Sequence, residues 1–236
     1  MKGSNLYSRI TLIVIVLLTA TVFAGWLFFT FGGQGTQPIS EDRKKILAVQ
    51  DERLTEGRPD APVKIVEYVD PLCPYCAKAH QDVIPSIRSE YIETHKARYE
   101  VRLVAMLTPD SERASRGAYC AAEQDKFWEY MDAAYDTTWN RYYSQNKEPK
   151  DVSIFSKSEI ENFVSPIGVD TIDWQQCMES GKYSDTISAN ALTMSELKAY
   201  GTPHFIINGQ NYNGAPPYAS FKAVIDAELR RIEATS

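Results

Sequence analysis

EYVDPLCPYCAKAH, residues 67–80, sets Cys73 and Cys76 apart by two residues, and the reading of this pair decides the fold. Just before it, VKIVEYV (63–69) is β-branched and aromatic, the composition of a strand buried on both faces. After it the pattern predicts a helix from Pro74 to about Glu93. A kink is expected at Pro85, because proline removes a backbone donor and crowds the preceding turn. The cysteines therefore stand where a buried strand becomes a helix.

A metal clip, a structural staple and a redox pair are the three readings of such a motif. A tetrahedral zinc site takes four ligands, commonly from two paired motifs. Here Cys120 and Cys177 are isolated and His80, His95 and His204 show no paired spacing, so no metal site is expected. A bond across two intervening residues closes too small a loop to restrict the unfolded chain much, which weakens the staple reading. The position favours redox chemistry. With Cys73 at the helix cap, the first-turn N–H groups and the helix dipole stabilise a thiolate. Pro74 suits the first turn, where its missing N–H has no helical partner to lose. Cys76, one turn further in, is expected to be buried and less reactive. An exposed sulfur at 73 and a shielded one at 76 is the asymmetry that stepwise thiol–disulfide exchange uses.

Working outward, ARYEVRLVAML (97–107) reads as a second strand. Residues 110–199 read as helical almost throughout: two helices between Ser111 and Trp139, a third around Ser158–Val164, a fourth in TIDWQQCMES and a fifth in SDTISANALTMSELKAY. GTPHFIING (201–209) returns to strand, and Asn208-Gly209 is a strong hairpin turn into a short strand at 210–213. An amphipathic helix from about Tyr218 to Ile232 closes the chain. The order predicts one α/β domain over 60–236, a mixed sheet with a helical block at 110–199 inserted as a lid. Phe127, Trp128 and Tyr130 read as core rather than ligand-binding aromatics.

The N-terminal part has another character. ITLIVIVLLTATVFAGWLFFTF (10–31) lies in a stretch without charge between Arg9 and Glu41. At about 1.5 Å per residue it spans roughly 33 Å, enough to cross a bilayer core. A single transmembrane helix is expected there, with residues 1–9 (Lys2, Arg9) cytoplasmic by the positive-inside rule. A cleaved signal peptide is the alternative; it would leave Trp26–Phe31 as an apolar stub, and signal apolar regions are shorter. Residues 32–59 read as a glycine-rich linker followed by a short helix from Glu41 to Leu54 capped by Ser40. The domain from 60 onward is then extracytoplasmic, where disulfides persist. The formal charge is −6, of which Lys2 and Arg9 contribute +2, so the exported part carries −8. An acidic surface without a basic run argues against nucleic acid as a partner.

VEYVD-PLCPYC, the late Gly201-Thr202-Pro203 and the tail FIINGQNYNGAPPYASFKAVIDAEL together resemble the DsbA-like thiol–disulfide oxidoreductases of thioredoxin fold, in their membrane-anchored form. The resemblance implies that Cys73 attacks, Cys76 resolves, and Pro74 and Tyr75 form the variable dipeptide between them. It implies a cis peptide at Pro203 beside the cysteines, with Thr202 offering backbone to an extended substrate. It implies that Glu67 is a buried acid beneath the pair that carries the proton of Cys76; the alternative is a strand acid facing water. Tyr75 stands where the strongest oxidants of the family have histidine, and tyrosine, neutral near pH 7, cannot assist a thiolate as an imidazolium would. His204, after the proline, reads as a packed structural histidine.

Some relatives carry a second disulfide, and a structural Cys120–Cys177 bond is expected here, the alternative being two free buried thiols. Closing that loop stabilises by roughly 4 kcal/mol in the chain-entropy model. The implied activity is introduction of disulfides into unfolded or reduced exported proteins, with reoxidation by a membrane partner of the DsbB or vitamin K epoxide reductase type. No cofactor motif is present. A tethered reductase or isomerase, and a binding module with idle thiols, are the other functional classes.

Overall fold

The computed structural model describes residues 50–147, 162 and 164–234. The expected anchor at 10–31, the linker helix over most of its length and the helix at 158–164 over most of its length lie outside the described residues. Among the described residues no helix is long and apolar enough to cross a membrane.

Five strands, β1 (Thr55–Glu56), β2 (Val63–Val69), β3 (Ala97–Leu103), β4 (His204–Ile207) and β5 (Gln210–Asn213), form one sheet in the order β1-β3-β2-β4-β5. β2 and β3 run parallel in register from Val63↔Ala97 to Val69↔Leu103. β4 lies antiparallel on the other side of β2, with Glu67 opposite Phe205 and Tyr68 opposite His204. The Asn208-Gly209 turn, at φ of 45° and 85°, is left-handed at both residues and joins β4 to β5 as a tight hairpin. The Asn208 side chain accepts from Lys64 N at 2.9 Å and extends the β2–β4 ladder by one contact.

Side chains on a strand alternate between faces. Val63, Ile65 and Val69 of β2 enter the larger core cluster, whereas Val66 and Tyr68 enter a smaller cluster on the opposite face, with Met194 and Ile206. Glu67 shares the parity of the first set and so faces the larger core. This two-residue period is what buries an acid in mid-strand.

Between β2 and β3 run α1 (Pro74–Asp82), α2 (Ile84–Ile87) and a π-helical turn, Arg88–Ile92. The single kinked helix expected there is broken at Val83, whose φ −121°, ψ −51° leaves the helical region two residues before Pro85. Proline disfavours helical geometry in its predecessor and cannot donate to the turn behind it. Among the described residues the inserted helices are α3 (Pro109–Ala122), α4 (Phe127–Arg141), α5 (Thr171–Ser180) and α6 (Ser184–Glu196). α7 (Tyr218–Glu233) closes the fold, its Phe221 ring edge-on to Phe205 with centroids 4.6 Å apart. The mixed sheet and helical insertion are those that the resemblance implied.

Two further expectations are corrected. β3 ends at Leu103 rather than running on to Leu107, because the backbone N–H groups of Met106 and Leu107 turn onto the Asp70 carboxylate, at 2.8 and 3.2 Å. The polar alternation of β3 does not reach solvent either: Arg98, Glu100 and Arg102 are all buried. Arg102 pairs with Glu100 at 3.0 Å and donates to the Tyr68 hydroxyl at 3.1 Å, so this charge enters the interior already partnered. The edge strand β1, within the segment read as linker, was not anticipated.

Candidate active site

Cys73 caps α1, and Pro74 occupies the first helical position. The turn before it is held by backbone and side chain together. Cys73 N donates to the Asp70 carbonyl at 2.9 Å, and Leu72 N donates to Asp70 Oδ1 at 2.9 Å. The Asp70 carboxylate thus fastens both the cysteine loop and the 106–107 loop. Sequence reasoning passed over this residue, although its place before Pro71 in the motif is a recognisable turn signal. Tyr143, just beyond α4, donates its hydroxyl to the Leu72 carbonyl and ties the helical insertion to the same turn.

The peptide between Thr202 and Pro203 is cis. It brings the Thr202 carbonyl to 3.1 Å from Cys73 Sγ, which donates to it as a thiol, and the Pro203 carbonyl accepts from Gly214 N at 2.9 Å. Positions 129 residues apart in sequence are therefore in contact at the sulfur. Thr202 uses its carbonyl on Cys73, so the free pairing edge expected of it is already partly engaged. His204 is packed as expected: its ring nitrogens lie 2.8 Å from Asn213 Oδ1 and 3.2 Å from Asn211 Oδ1, on the neighbouring strand.

The exposed sulfur expected at 73 is a correction. Cys73 is 3% exposed and Cys76 2%, and both are free thiols. The Thr202 loop covers Cys73 from a distance in sequence that no local pattern encodes. The asymmetry between the two cysteines resides in their surroundings. Cys76 lines an internal cavity with Glu67, whereas the dipeptide beside Cys73 opens outward, with Tyr75 64% exposed. Beside it lies a groove of about 780 Å³ lined by Leu72, Pro74, Tyr75, Leu107, Trp139 and Tyr143.

Electrostatics separate the two thiols. The Cys76 thiol donating to Cys73 brings the latter down to about 7, against burial, which opposes it, and with help from the Thr202 side chain. The backbone N–H groups of Cys76 and Tyr75 pull the same way without closing a hydrogen bond of cap geometry. Burial, then the neighbouring Cys73, pushes the Cys76 thiol well above its ordinary value. The first proton the pair gives up is therefore that of Cys73.

Glu67 is 2% exposed, so it is not a strand acid facing water. Its register neighbour on β3 is Val101, and Tyr99, one diagonal step away, donates its hydroxyl to Glu67 Oε2. Burial raises the carboxyl to about 8, and the Tyr99 hydrogen bond holds it back from rising further. It is a neutral acid at pH 7 that lines the same cavity as the Cys76 thiol. A raised carboxyl lowers stability as pH rises. The contribution is fully present below the ordinary value of 4.5 and is lost as pH climbs to about 8. Glu67→Gln should therefore remove a loss of about 3 kcal/mol by pH 7. Urea unfolding of the oxidised full chain at pH 4.5 and 7 measures this: wild type should lose stability relative to the variant over that interval. Parallel behaviour of the two proteins would mean that Glu67 is ionised in the folded chain.

Cys120 and Cys177 form a disulfide with Cα atoms 5.7 Å apart, joining α3 to α5. Among the described residues no cluster of side chains is arranged to hold a metal ion.

A family model described as thioredoxin matches residues 50–227. A Rickettsia typhi protein named as a protein-disulfide oxidoreductase is 26% identical over 189 residues, covering 75% of this chain and 66% of that protein. The chain thus spans just under two thirds of the length of this relative. A Bacillus anthracis protein named as a disulfide bond formation protein D is 27% identical over 179 residues, covering 74% and 77% of the two chains. Among solved structures, Wolbachia pipientis alpha-DsbA1 is similar with a TM-score of 0.69 at 20% identity, over 82% of this chain and 98% of that one, which is a likeness of fold.

Proposed function

The chain belongs to the thioredoxin family, and from that premise we propose that it is a DsbA-like thiol–disulfide oxidoreductase that introduces disulfides into unfolded or reduced exported proteins. The observation that carries this reading is the contact of Cys73 Sγ with the carbonyl before cis-Pro203, with Cys76 and protonated Glu67 on the inner side. In the oxidised form a substrate thiolate attacks Cys73 Sγ and the Cys73–Cys76 bond breaks. Cys76 leaves as a thiolate and takes the Glu67 proton. A second substrate thiolate then attacks the substrate sulfur of the mixed disulfide, releasing Cys73 as the thiolate that its surroundings favour. A leaving group of low pKa departs faster and stabilises the reduced enzyme, which supports net oxidation.

Residues 10–31 are the proposed anchor, with the catalytic domain outside the cell membrane and the N-terminus within. The apolar run and the Cys120–Cys177 bond support this placement, since such bonds persist in oxidising compartments. Reoxidation by a membrane partner of the DsbB or vitamin K epoxide reductase type follows from the same placement. The groove beside Tyr75, apolar along Leu72, Leu107 and Trp139, suits the exposed hydrophobic side chains of an unfolded substrate.

The test is direct. Oxidised full chain in detergent is mixed with an equimolar reduced, unfolded model protein containing two cysteines. One disulfide per molecule should move to the substrate within the mixing experiment. Retention of the Cys73–Cys76 bond with the substrate still reduced would contradict the proposed direction.

A further inference from the structure

Beneath the cysteine pair lies a small cavity of about 10 Å³, bordered by Glu67, Cys76, His80, Arg88, Tyr99 and Tyr135. That volume accommodates one water molecule. His80 follows Cys76 by one helical turn, so both project from the same face of α1 into this space. The Tyr135 hydroxyl, on α4, is buried and has no hydrogen-bond partner among the described residues. A buried hydroxyl with nothing to bond is costly, and a bordering cavity of this size supplies the remedy. On its outer side His80 Nε2 lies 3.1 Å from Asp132 Oδ1 of α4. That oxygen is itself buried, yet the Asp132 side chain is 49% exposed. Asp132 thus has one oxygen against His80 and the remainder of its carboxylate toward solvent.

We propose that this cavity binds a single water and that the water and His80 form the proton path linking Glu67 to Asp132 and the surface. The proposal deepens the oxidoreductase reading and rests on it. When Cys76 leaves as a thiolate, it takes the Glu67 proton. The Glu67 carboxylate is reprotonated through the water from His80, and His80 is reprotonated past Asp132 from solvent. In the return direction Glu67 first gives up its proton along the same route. The carboxylate then takes the proton of Cys76 as that sulfur attacks a mixed disulfide at Cys73 and releases the bound thiolate. The groups facing His80 are Asp132 and Tyr135 from α4, Glu67 from β2, Tyr99 from β3, Arg88 from the π-helical turn and Cys76 from its own helix. Arg88 is committed to Glu56 at 2.8 Å and Tyr99 donates to Glu67, which leaves His80 as the titratable group with a contact toward solvent. His80 touches no reacting sulfur; it acts through Glu67 and is a relay residue.

The experiment mixes reduced full chain in detergent with glutathione disulfide. Acid quenching at intervals, followed by intact-mass measurement, gives the formation and the decay of the Cys73–glutathione mixed disulfide. His80→Gln should leave formation unchanged and slow decay about tenfold near pH 7, less than the loss of a directly acting acid or base. Asp132→Asn should slow the same step, and imidazole should restore decay in His80→Ala. Decay rates and pH profiles of His80→Gln matching wild type would overturn the relay. Absence of any mixed disulfide in wild type would instead overturn the oxidoreductase reading beneath it.

Discussion

Cys73→Ser brings disulfide transfer down to the uncatalysed background, while Cys76→Ser stops the reaction half-way, with substrate held on Cys73. The two outcomes differ because the two sulfurs do different things. Cys73 is the thiolate, stabilised by the Cys76 thiol and by the Thr202 side chain. Removing it leaves Cys76, buried against the cavity and held in its thiol form, which is no nucleophile at neutral pH. Removing Cys76 leaves an attacking group without the partner that releases the mixed disulfide. Non-reducing mass analysis of full chain incubated with glutathione disulfide or a reduced–oxidised model substrate separates the cases: no adduct with Cys73→Ser, and a persistent adduct on Cys73 with Cys76→Ser. A persistent adduct on Cys76 in the first variant would reverse the assigned roles.

The other large effect concerns stability rather than chemistry. Replacing Cys120 and Cys177 together with alanine should cost about 4 kcal/mol, the loop-closure contribution of a bond whose ends are 57 residues apart in sequence. For a chain of this size that corresponds to a fall in Tm of roughly 8–16 °C. The bond ties α3 to α5, and both cysteines are buried, so the loss should fall on the helical insertion first. Denaturant unfolding of the oxidised protein measures it, with the Cys73–Cys76 bond intact in both proteins. A loss below about 1 kcal/mol would mean that packing of α3 and α4 already holds the insertion without the bond.

What the amino-acid order made legible follows local rules. The strand at 63–69 is written in its β-branched residues; the burial of Glu67 is implied by the family resemblance, and its parity with Val63, Ile65 and Val69 gives the physical reason. The Asn208-Gly209 hairpin and the capping of α1 by Cys73 are equally local. What escaped depends on chain that arrives from elsewhere. Cys73 is covered because Thr202 folds back over it. β3 stops early because Asp70, on the next strand's loop, takes its following N–H groups. The buried Glu100–Arg102 pair takes a further partner from far off in the chain, Gln50, whose N–H donates to Glu100 at 2.8 Å. His80 read as one histidine without a paired partner; only the helix packing shows it between a buried acid and the surface.

The division of labour between the two sulfurs is tested most directly by alkylating the reduced full chain across pH and mapping the label by peptide mass. Cys73 should be labelled with a midpoint near pH 7, more slowly than a freely exposed thiolate because Thr202 covers it, while Cys76 stays unlabelled in the native protein. Labelling of both cysteines together, with a common midpoint at the ordinary thiol value near 9, would contradict it.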